Sequence, residues 1–206
     1  MHVVDGVLSV PVLALGGLAA VGGITLGLKQ VTAEQIPRVA MLSAASFLIT
    51  LIHIPIGPSS VHMVLNGIIG LLLGWAAFPV FLVGLLLDAI FLGFGGLLSL
   101  GVNLSLMALP AVAVHYLFIS KLTNSQRPFL WGAFGGGLAI ASTGVLAALA
   151  LGYSSDAFLP AAKVVLLSHL PLVGMEAFVS GSAIALMSRV KPELFNPIPQ
   201  PQKSTV

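Results

Sequence analysis

Residues 10–28 read VPVLALGGLAAVGGITLGL, a stretch without a single charged side chain. An α-helix needs a run of about this length and apolarity to cross the hydrocarbon core of a membrane. The whole chain has the same character, because 58% of its 206 residues are apolar and only 7% are charged. Its runs are continuously apolar, whereas the strands of a membrane barrel alternate apolar and polar residues. The sequence therefore predicts an all-α, polytopic membrane protein.

Breaker residues on either side of this run divide the chain into seven predicted transmembrane helices. They span Val10–Leu28, Val39–Ile56, Val61–Gly74, Phe78–Phe94, Leu100–Ile119, Arg127–Leu151 and Ala161–Met187. The third is short, and Gly74 and Trp75 mark a turn or a kink after it. A single helix in place of the third and fourth would be too long for a bilayer.

The distribution of basic residues orients these spans. With the N-terminus outside, seven of the eight Lys and Arg residues fall on the cytoplasmic side and only Lys163 falls outside, as the positive-inside rule requires. We predict a multi-pass protein of the cell (inner) membrane with an extracytoplasmic N-terminus. Residues 1–190 form one membrane domain, and the proline-rich residues 191–206 form a disordered cytoplasmic tail.

The first two residues have the chemistry of a metal chelator. No basic segment precedes the first span, so we predict no cleaved signal peptide and expect Met1 to be retained. The Met1 amine, the His2 backbone nitrogen and the His2 imidazole Nδ1 then form adjacent chelate rings on one ion. Such planar nitrogen ligands favour Ni²⁺ or Cu²⁺. The chain has no cysteine, so thiolate sites are excluded.

The connection between the second and third predicted spans lies on the same outer face as this chelator. It reads Ile54-Pro55-Ile56-Gly57-Pro58-Ser59-Ser60-Val61-His62, and its prolines predict a stiff re-entrant loop. His62 at its end is the natural fourth nitrogen ligand. Asp5 is the carboxylate nearest in sequence to balance the remaining positive charge.

These residues carry a family resemblance. Met1-His2-Val3-Val4-Asp5-Gly6-Val7-Leu8-Ser9 resembles the N-terminal signature of the nickel- and cobalt-specific membrane subunits of energy-coupling factor (ECF) transporters, the NikM/CbiM family. Further similar motifs are Pro55-Ile56-Gly57-Pro58-Ser59-Ser60-Val61-His62, Gly74-Trp75-Ala76-Ala77 and Gly95-Gly96…Leu100-Gly101-Val102-Asn103…Met107-Ala108. The resemblance covers about the first half of the chain; beyond it, only length and hydropathy agree.

The resemblance implies a substrate-binding (S) component with seven helices, a core of six plus an extra N-terminal helix. In this family the metal is ligated by the amine of Met1, by two nitrogens of His2 and by the histidine that corresponds to His62. Ni²⁺ or Co²⁺ is the transported substrate, with no organic cofactor. The implied partners are a transmembrane coupling (T) subunit, cytosolic ATPase subunits and a small auxiliary membrane subunit, within membrane lipid and without nucleic acid.

The chain departs from the family pattern near this site. Position 4 is Val rather than Pro, and the loop before His62 is one residue short. His53, Asp88 and Phe94 stand where the family usually has Asn, Gln and Asp. His53 either adds a fifth ligand, which favours cobalt or zinc, or hydrogen-bonds the loop. Asp88 either contacts His53 or His62 or forms a structural hydrogen bond.

Other polar residues within the spans have two interpretations each. Asn66 and Asn103 either brace the metal site or join helices. His115, His169 and Glu176 form either a proton or ion path or structural pairs, and we favour the structural interpretation. Ala40 and Ala44 resemble an alanine motif that related substrate-binding components present to the coupling subunit.

The sequence favours a metal-capturing transport subunit that depends on partner ATPases, because it has no P-loop nucleotide site. The alternative is a self-sufficient secondary carrier for a divalent metal or another cation that uses Asp88, His169 and Glu176. An intramembrane enzyme is the weakest hypothesis, since neither a His-Glu-x-x-His zinc motif nor a Gly-x-Ser-x-Gly nucleophile motif occurs.

Overall fold

A computed structural model describes the chain at residues 3–56 and 59–195, with the backbone alone at residues 53–56, 59–61 and Asn124. This part contains seven α-helices and one hairpin of two short strands. The helices are α1 (Val10–Gln30), α2 (Ile36–Thr50), α3 (Asn66–Leu73), α4 (Ala77–Leu87), α5 (Leu100–Asn124), α6 (Pro128–Ser154) and α7 (Leu159–Val190). The strands β1 (His53–Ile56) and β2 (Ser59–His62) lie between α2 and α3 and pair antiparallel.

Proline sets the start of four helices. Pro11, Pro37, Pro128 and Pro160 occupy the first or second position of α1, α2, α6 and α7. A proline there lacks only an N–H that the helix leaves unpaired anyway, and its fixed φ suits the first turn.

The predicted count of seven spans is not confirmed. Within the described residues, five helical stretches are long and apolar enough to cross a membrane: Val10–Gln30, Asn66–Leu92, Leu100–Thr123, Pro128–Ser154 and Asp156–Val190. Helix α2 ends at Thr50 because the chain then enters β1, so the second predicted span is too long. Helix α3 begins at Asn66, since the residues from Ser59 to His62 form β2 instead of the first turn of a helix.

The chain reverses direction within the stretch from Asn66 to Leu92. Helix α3 runs alongside α5 in the same direction, because a Cβ at Gly70 would meet Ala111 and one at Gly74 would meet His115. Gly74 has φ +55° and opens a 3-10 turn to Ala76, a conformation that favours glycine. The predicted turn after Gly74 is therefore confirmed.

Helix α4 then runs opposite to α3. It lies parallel to α2, since Gly84 faces Ser46 and the Thr50 hydroxyl bonds to Asp88. Arg38 at the start of α2 donates to the carbonyl oxygen of Leu72, at the end of α3, at 3.0 Å. Helices α2 and α4 therefore run against α3 and α5.

The centre of the bundle is α3, all eight residues of which are buried. It packs with α4 and α5 in a continuous apolar core whose most enclosed members include Ile69, Leu71, Phe78, Phe81 and Leu104. A short buried helix of this kind is shielded by the longer helices around it, so its position is set by its neighbours and by the polar groups at its two ends.

The prediction of a disordered tail from residue 191 is wrong for its first residues. Pro192–Phe195 form a 3-10 turn, and the Phe195 side chain is buried in the apolar core. The carbonyl oxygen of Leu194 also accepts a hydrogen bond from Arg38 at 3.4 Å. The remainder of the predicted tail, residues 196–206, lies outside the described residues.

Candidate metal site

His62 ends β2 and is buried, with 4% of its surface exposed. Its Nδ1 lies 3.1 Å from the carbonyl oxygen of Met63. In the tautomer that donates from Nδ1 to this carbonyl, Nε2 carries the lone pair. A metal-binding histidine usually donates its other ring nitrogen to a carbonyl or a carboxylate in this way.

The hairpin fixes the position of His62 along the chain. His53 on β1 is the register partner of His62 on β2, so the predicted re-entrant loop is a paired hairpin at the backbone level. The His53 side chain and the turn residues Gly57 and Pro58 lie outside the described residues, so neither interpretation of His53 is tested.

The N-terminal segment is fixed in the bundle at Val3. The side chain of Asn103 on α5 accepts from the Val3 N–H and donates to the Val3 carbonyl, each at 2.9 Å. Val3 is buried among residues of α5, α6 and α7, including Val102 and Ala147. Asn103 therefore joins α5 to the N-terminal segment, and a role in bracing a metal site stays a prediction.

Asp5 lies at the start of α5. Its carboxylate accepts hydrogen bonds from the backbone N–H of Ser99 at 2.8 Å and of Leu98 at 3.3 Å. The Ser99 N–H is the largest cause that holds the pKa of this carboxyl below its ordinary value. A Cβ at Gly96 would lie within 2.3 Å of the carboxylate, which explains the need for glycine there. Asp5 is therefore an anchor of the N-terminal segment.

Asp88 directly follows the last residue of α4. It is buried, opens a π-helical turn to Leu92, and its Oδ1 accepts a hydrogen bond from the Thr50 hydroxyl at 2.7 Å. Thr50 is the last residue of α2, three residues before His53. This hydrogen bond ties the end of α2, at the base of the hairpin, to α4, and the predicted alternative of a contact with His53 or His62 stays a prediction. Thr50 was not singled out in the sequence analysis. The signal that could have found it is its hydroxyl group, which stands at the end of an apolar run.

Asn66 opens α3, four residues after His62. Its Nδ2 donates to the hydroxyl of Thr143 on α6 at 2.8 Å, so it joins two helices. Thr143 was also missed by sequence reasoning. Ala147, one turn further along α6, belongs to the same cluster as Val3. The start of α3 and the N-terminal segment therefore lie against neighbouring turns of α6.

The structure does not bring His115, His169 and Glu176 together. His115 Nδ1 lies 3.2 Å from the carbonyl oxygen of Gly70, whereas His169 Nδ1 lies 2.8 Å from that of Val165 in its own helix. Glu176 Oε1 accepts from the Gly67 N–H at 3.4 Å. Each side chain has a backbone partner, which supports the structural interpretation.

Met1 and His2 lie outside the described residues. Among the side chains that the structure describes, which exclude those of residues 53–56 and 59–61, no group of three or more His, Asp or Glu is placed to hold a metal ion. The predicted ligands at Met1 and His2 therefore stay predictions.

Comparison with known protein families gives a match over nearly the whole chain. The model of the CbiM family, described as the cobalt uptake substrate-specific transmembrane region, matches residues 2–194. The chain belongs to the CbiM family. This membership confirms the resemblance seen in the first half of the sequence and extends it to the second half. The chain is therefore a metal transport component of a membrane.

Similar sequences and solved structures agree with the family. A putative metal transport protein of Haemophilus influenzae is 41% identical over 95% of this chain and 97% of its own length. The cobalt transport protein CbiM of Sorangium cellulosum is 29% identical over 95% of both chains. A crystal structure of a transition metal transporter superposes with a TM-score of 0.80 at 27% identity, over 92% of this chain and 93% of that chain.

One relative is longer than this chain. The fused nickel transport protein NikMN of Rhodobacter capsulatus is 30% identical over 96% of this chain, which spans only 64% of that protein. Nickel and cobalt therefore both occur among the substrates named for the relatives.

Proposed function

We propose that this chain is the substrate-binding membrane subunit of an ATP-driven importer of the ECF type, and that it captures Ni²⁺ or Co²⁺ from outside the cell. The ligands are the Met1 amine, the His2 amide and imidazole nitrogens, and His62. The observation that carries the proposal is the double hydrogen bond between Asn103 and Val3, which holds the residue next to His2 inside the protein.

The anchoring of Val3 supports the chelate in a simple way. Consecutive Cα atoms are about 3.8 Å apart, so Met1 and His2 remain close to this fixed residue. Asp5 adds a second anchor two residues later, through Ser99. A chelate at a free N-terminus loses most of its affinity if the terminus must be ordered upon binding, and these anchors remove much of that cost.

The imidazole of His62 supplies the fourth nitrogen. Its bond to the Met63 carbonyl favours Nε2 as the metal-binding atom. A plane of amine, amide and two imidazoles suits Ni²⁺, and a further ligand such as His53 shifts the preference towards Co²⁺. The metal is substrate in either case, so its release is as important as its capture.

Orientation and span number follow from the same proposal. We place the N-terminus and the hairpin outside, with Arg38 and the buried Phe195 on the cytoplasmic side. Helix α2, about 22 Å long, is then the second passage, and the segment from β2 through α3 is the third. With α1, α4, α5, α6 and α7 they make seven passages. The reversal of the chain at Gly74 supports this count, because α3 and α4 run in opposite directions.

The partners proposed for energy coupling are a transmembrane coupling subunit, cytosolic ATPases and a small auxiliary membrane subunit. Ala40 and Ala44 lie on α2, and both are exposed. They share one face of the helix, one turn apart. Small exposed side chains at this spacing allow another helix to approach closely, so we propose this face as the docking surface for the coupling subunit.

The alternative is a secondary carrier, which needs a connected chain of titratable groups. Asp88 bonds to Thr50, whereas His169 and Glu176 bond to separate backbone groups, an arrangement that supports the subunit proposal instead. Metal uptake should be measured in cells that carry this chain with or without coupling and ATPase subunits. We expect uptake to require the partners and to cease on ATP depletion. Partner-independent uptake that an uncoupler abolishes would establish the carrier.

A further inference from the structure

The segment that follows His62 enters the bundle through a strained residue. Leu65 has φ +60°, and it is the one non-glycine residue with a positive φ in the described part of the chain. Such a conformation costs about 1–2 kcal/mol for a residue with a Cβ atom, so surrounding contacts must hold it in place. Leu65 caps α3 and lies three residues after His62.

Glu176 of α7 contacts the backbone around Leu65. Its side chain is 1% exposed, and Oε1 accepts a hydrogen bond from the Gly67 N–H at 3.4 Å. The N–H groups of Val64 and Leu65 face the same carboxylate. A concave set of backbone N–H groups with a left-handed residue among them favours a negatively polarised oxygen as acceptor, and here that oxygen belongs to the carboxyl group of a neighbouring helix of the same chain.

Close packing brings α3 to this carboxylate. A Cβ at Gly67 would lie 2.3 Å from the Gly136 Cα, and one at Gly136 would lie 2.8 Å from the Glu176 carbonyl oxygen. The absence of side chains at both glycines therefore permits the contact between α3, α6 and α7. Because Glu176 holds residues 64–67, it also limits the movement of His62 two residues before them.

We propose that Glu176 is a positioning residue of the metal site: its carboxylate holds the start of α3, and thereby sets the place of the His62 imidazole opposite the N-terminal ligands. This inference rests on the proposed function, since it assigns Glu176 a role in binding at that same site. Glu176 does not touch the metal. It acts through the backbone of residues 64–67.

The test compares Glu176→Ala and Glu176→Gln in the full chain, purified in detergent with Met1 as its first residue. Ni²⁺ affinity is measured by titration, and the absorption spectrum of the bound metal reports the geometry of the nitrogen ligands. Ile184→Ala is the control for general loosening of α7, because Ile184 is fully buried two turns after Glu176, packs on Gly132 and has no polar side-chain atom that could bond residues 64–67. His62→Ala tests the proposed function by itself.

We expect Glu176→Ala to lower Ni²⁺ affinity at least tenfold and to alter the spectrum, within the 10–100-fold range for residues that orient metal ligands. Glu176→Gln should remain within a few-fold of the wild type, because its amide oxygen still accepts from the backbone N–H groups. Ile184→Ala should keep its affinity and its spectrum.

The inference is overturned if Glu176→Ala binds Ni²⁺ with wild-type affinity. It is also overturned if either Ile184→Ala or Glu176→Gln loses as much Ni²⁺ affinity as Glu176→Ala does. In each of these cases a loss of binding in His62→Ala would leave the proposed function intact. The proposed ligands themselves are wrong if the wild-type chain binds neither Ni²⁺ nor Co²⁺, or if His62→Ala binds these metals with wild-type affinity. If Glu176→Ala does not fold, Glu176→Leu, which also removes the acceptor but keeps more of the side-chain volume, takes its place in each of these comparisons.

Discussion

The side-chain amide of Asn103 pairs with both backbone groups of Val3, donating to the carbonyl and accepting from the N–H at 2.9 Å each. This is the hydrogen-bonding pattern that a neighbouring strand would offer. It fixes Val3, the residue that follows the proposed chelate, to the first turn of α5, so the chain is anchored in the bundle one residue after His2.

Replacing Asn103 by Ala should both destabilise the protein and weaken metal binding. Two net hydrogen bonds contribute on the order of 2 kcal/mol together, and the N-terminal ligands lose their anchor. We expect a lower melting temperature and at least tenfold weaker Ni²⁺ binding by titration. Ser105→Ala is the matched control, because Ser105 is buried on the same helix but bonds to the Gly16 carbonyl. Equal loss of affinity in both variants would contradict the anchoring role.

His62→Ala should leave the fold intact and remove most of the metal affinity. The substitution takes away one proposed ligand at the end of β2, outside the seven helices, so the helices keep their packing. Metal content and absorption of the purified variant provide the measurement, with circular dichroism as the check on folding. Unchanged metal content in a folded variant would show that His62 is no ligand.

Asp5→Asn should reveal a pH-dependent anchor. The pKa of Asp5 is lowered in the folded protein, so the ionised carboxylate stabilises the fold above the ordinary pKa of an aspartate, about 3.9. This contribution is lost as the pH falls through the lowered folded pKa. We expect the melting temperature of the variant to fall below that of the wild type at pH 6–7 and to converge with it in stronger acid. A difference that stays constant down to pH 3 would argue against the anchor.

Gly23→Ala should lower the melting temperature of the protein, whereas Gly22→Ala should not. A Cβ at Gly23 would lie 2.2–2.4 Å from the ring of Phe78, whereas nothing lies within 4 Å of a Cβ at Gly22. Thermal unfolding in detergent should show a clear loss for Gly23→Ala and no loss for Gly22→Ala, since alanine is the better helix former. Equal melting temperatures would mean that α1 does not pack on α4 in this way.

Ala44→Trp should impair uptake without affecting metal binding. The larger side chain projects from the exposed face of α2 that we propose for the coupling subunit. Ala113→Trp is the matched control, because Ala113 is exposed on α5. Uptake in cells with all partners, together with Ni²⁺ titration of each purified variant, separates docking from binding. Normal uptake by Ala44→Trp would place the docking surface elsewhere.

Much of the fold was predictable because apolar length is a strong signal. The helices α1, α5 and α6 begin and end close to the predicted positions, where proline and charged residues mark the boundaries. The same signal fails between Thr50 and Asn66. There Ile52, Ile54 and Val61 are as apolar as a span, but they flank the turn of a β-hairpin, and apolar periodicity does not separate short buried strands from short helices.

The candidate site was predictable where its chemistry is local in sequence. Met1-His2 is predicted to be a chelator from its own chemistry, and His62 to be the fourth ligand from the proline-bounded loop before it; both stay predictions. The partners of the other polar residues were not predictable, because Asn103 with Val3 and Asn66 with Thr143 are contacts between distant segments. Asp5 showed this most clearly: its charge suggested a role beside the metal, while its hydrogen bonds place it at the start of α5.

The free amine of Met1 is the central claim, and an N-terminal extension tests it most directly. Two preparations differ only in whether protease cleavage leaves Met1 first or leaves Gly-Ser before it. Two added residues are needed, because one would put His2 third in the chain, where amine, two amides and imidazole again make a four-nitrogen chelate. We predict tight Ni²⁺ binding with a yellow, diamagnetic complex for the free Met1 chain and at least a hundredfold weaker binding for the extended chain. Equal affinity and the same spectrum in both preparations would contradict the account.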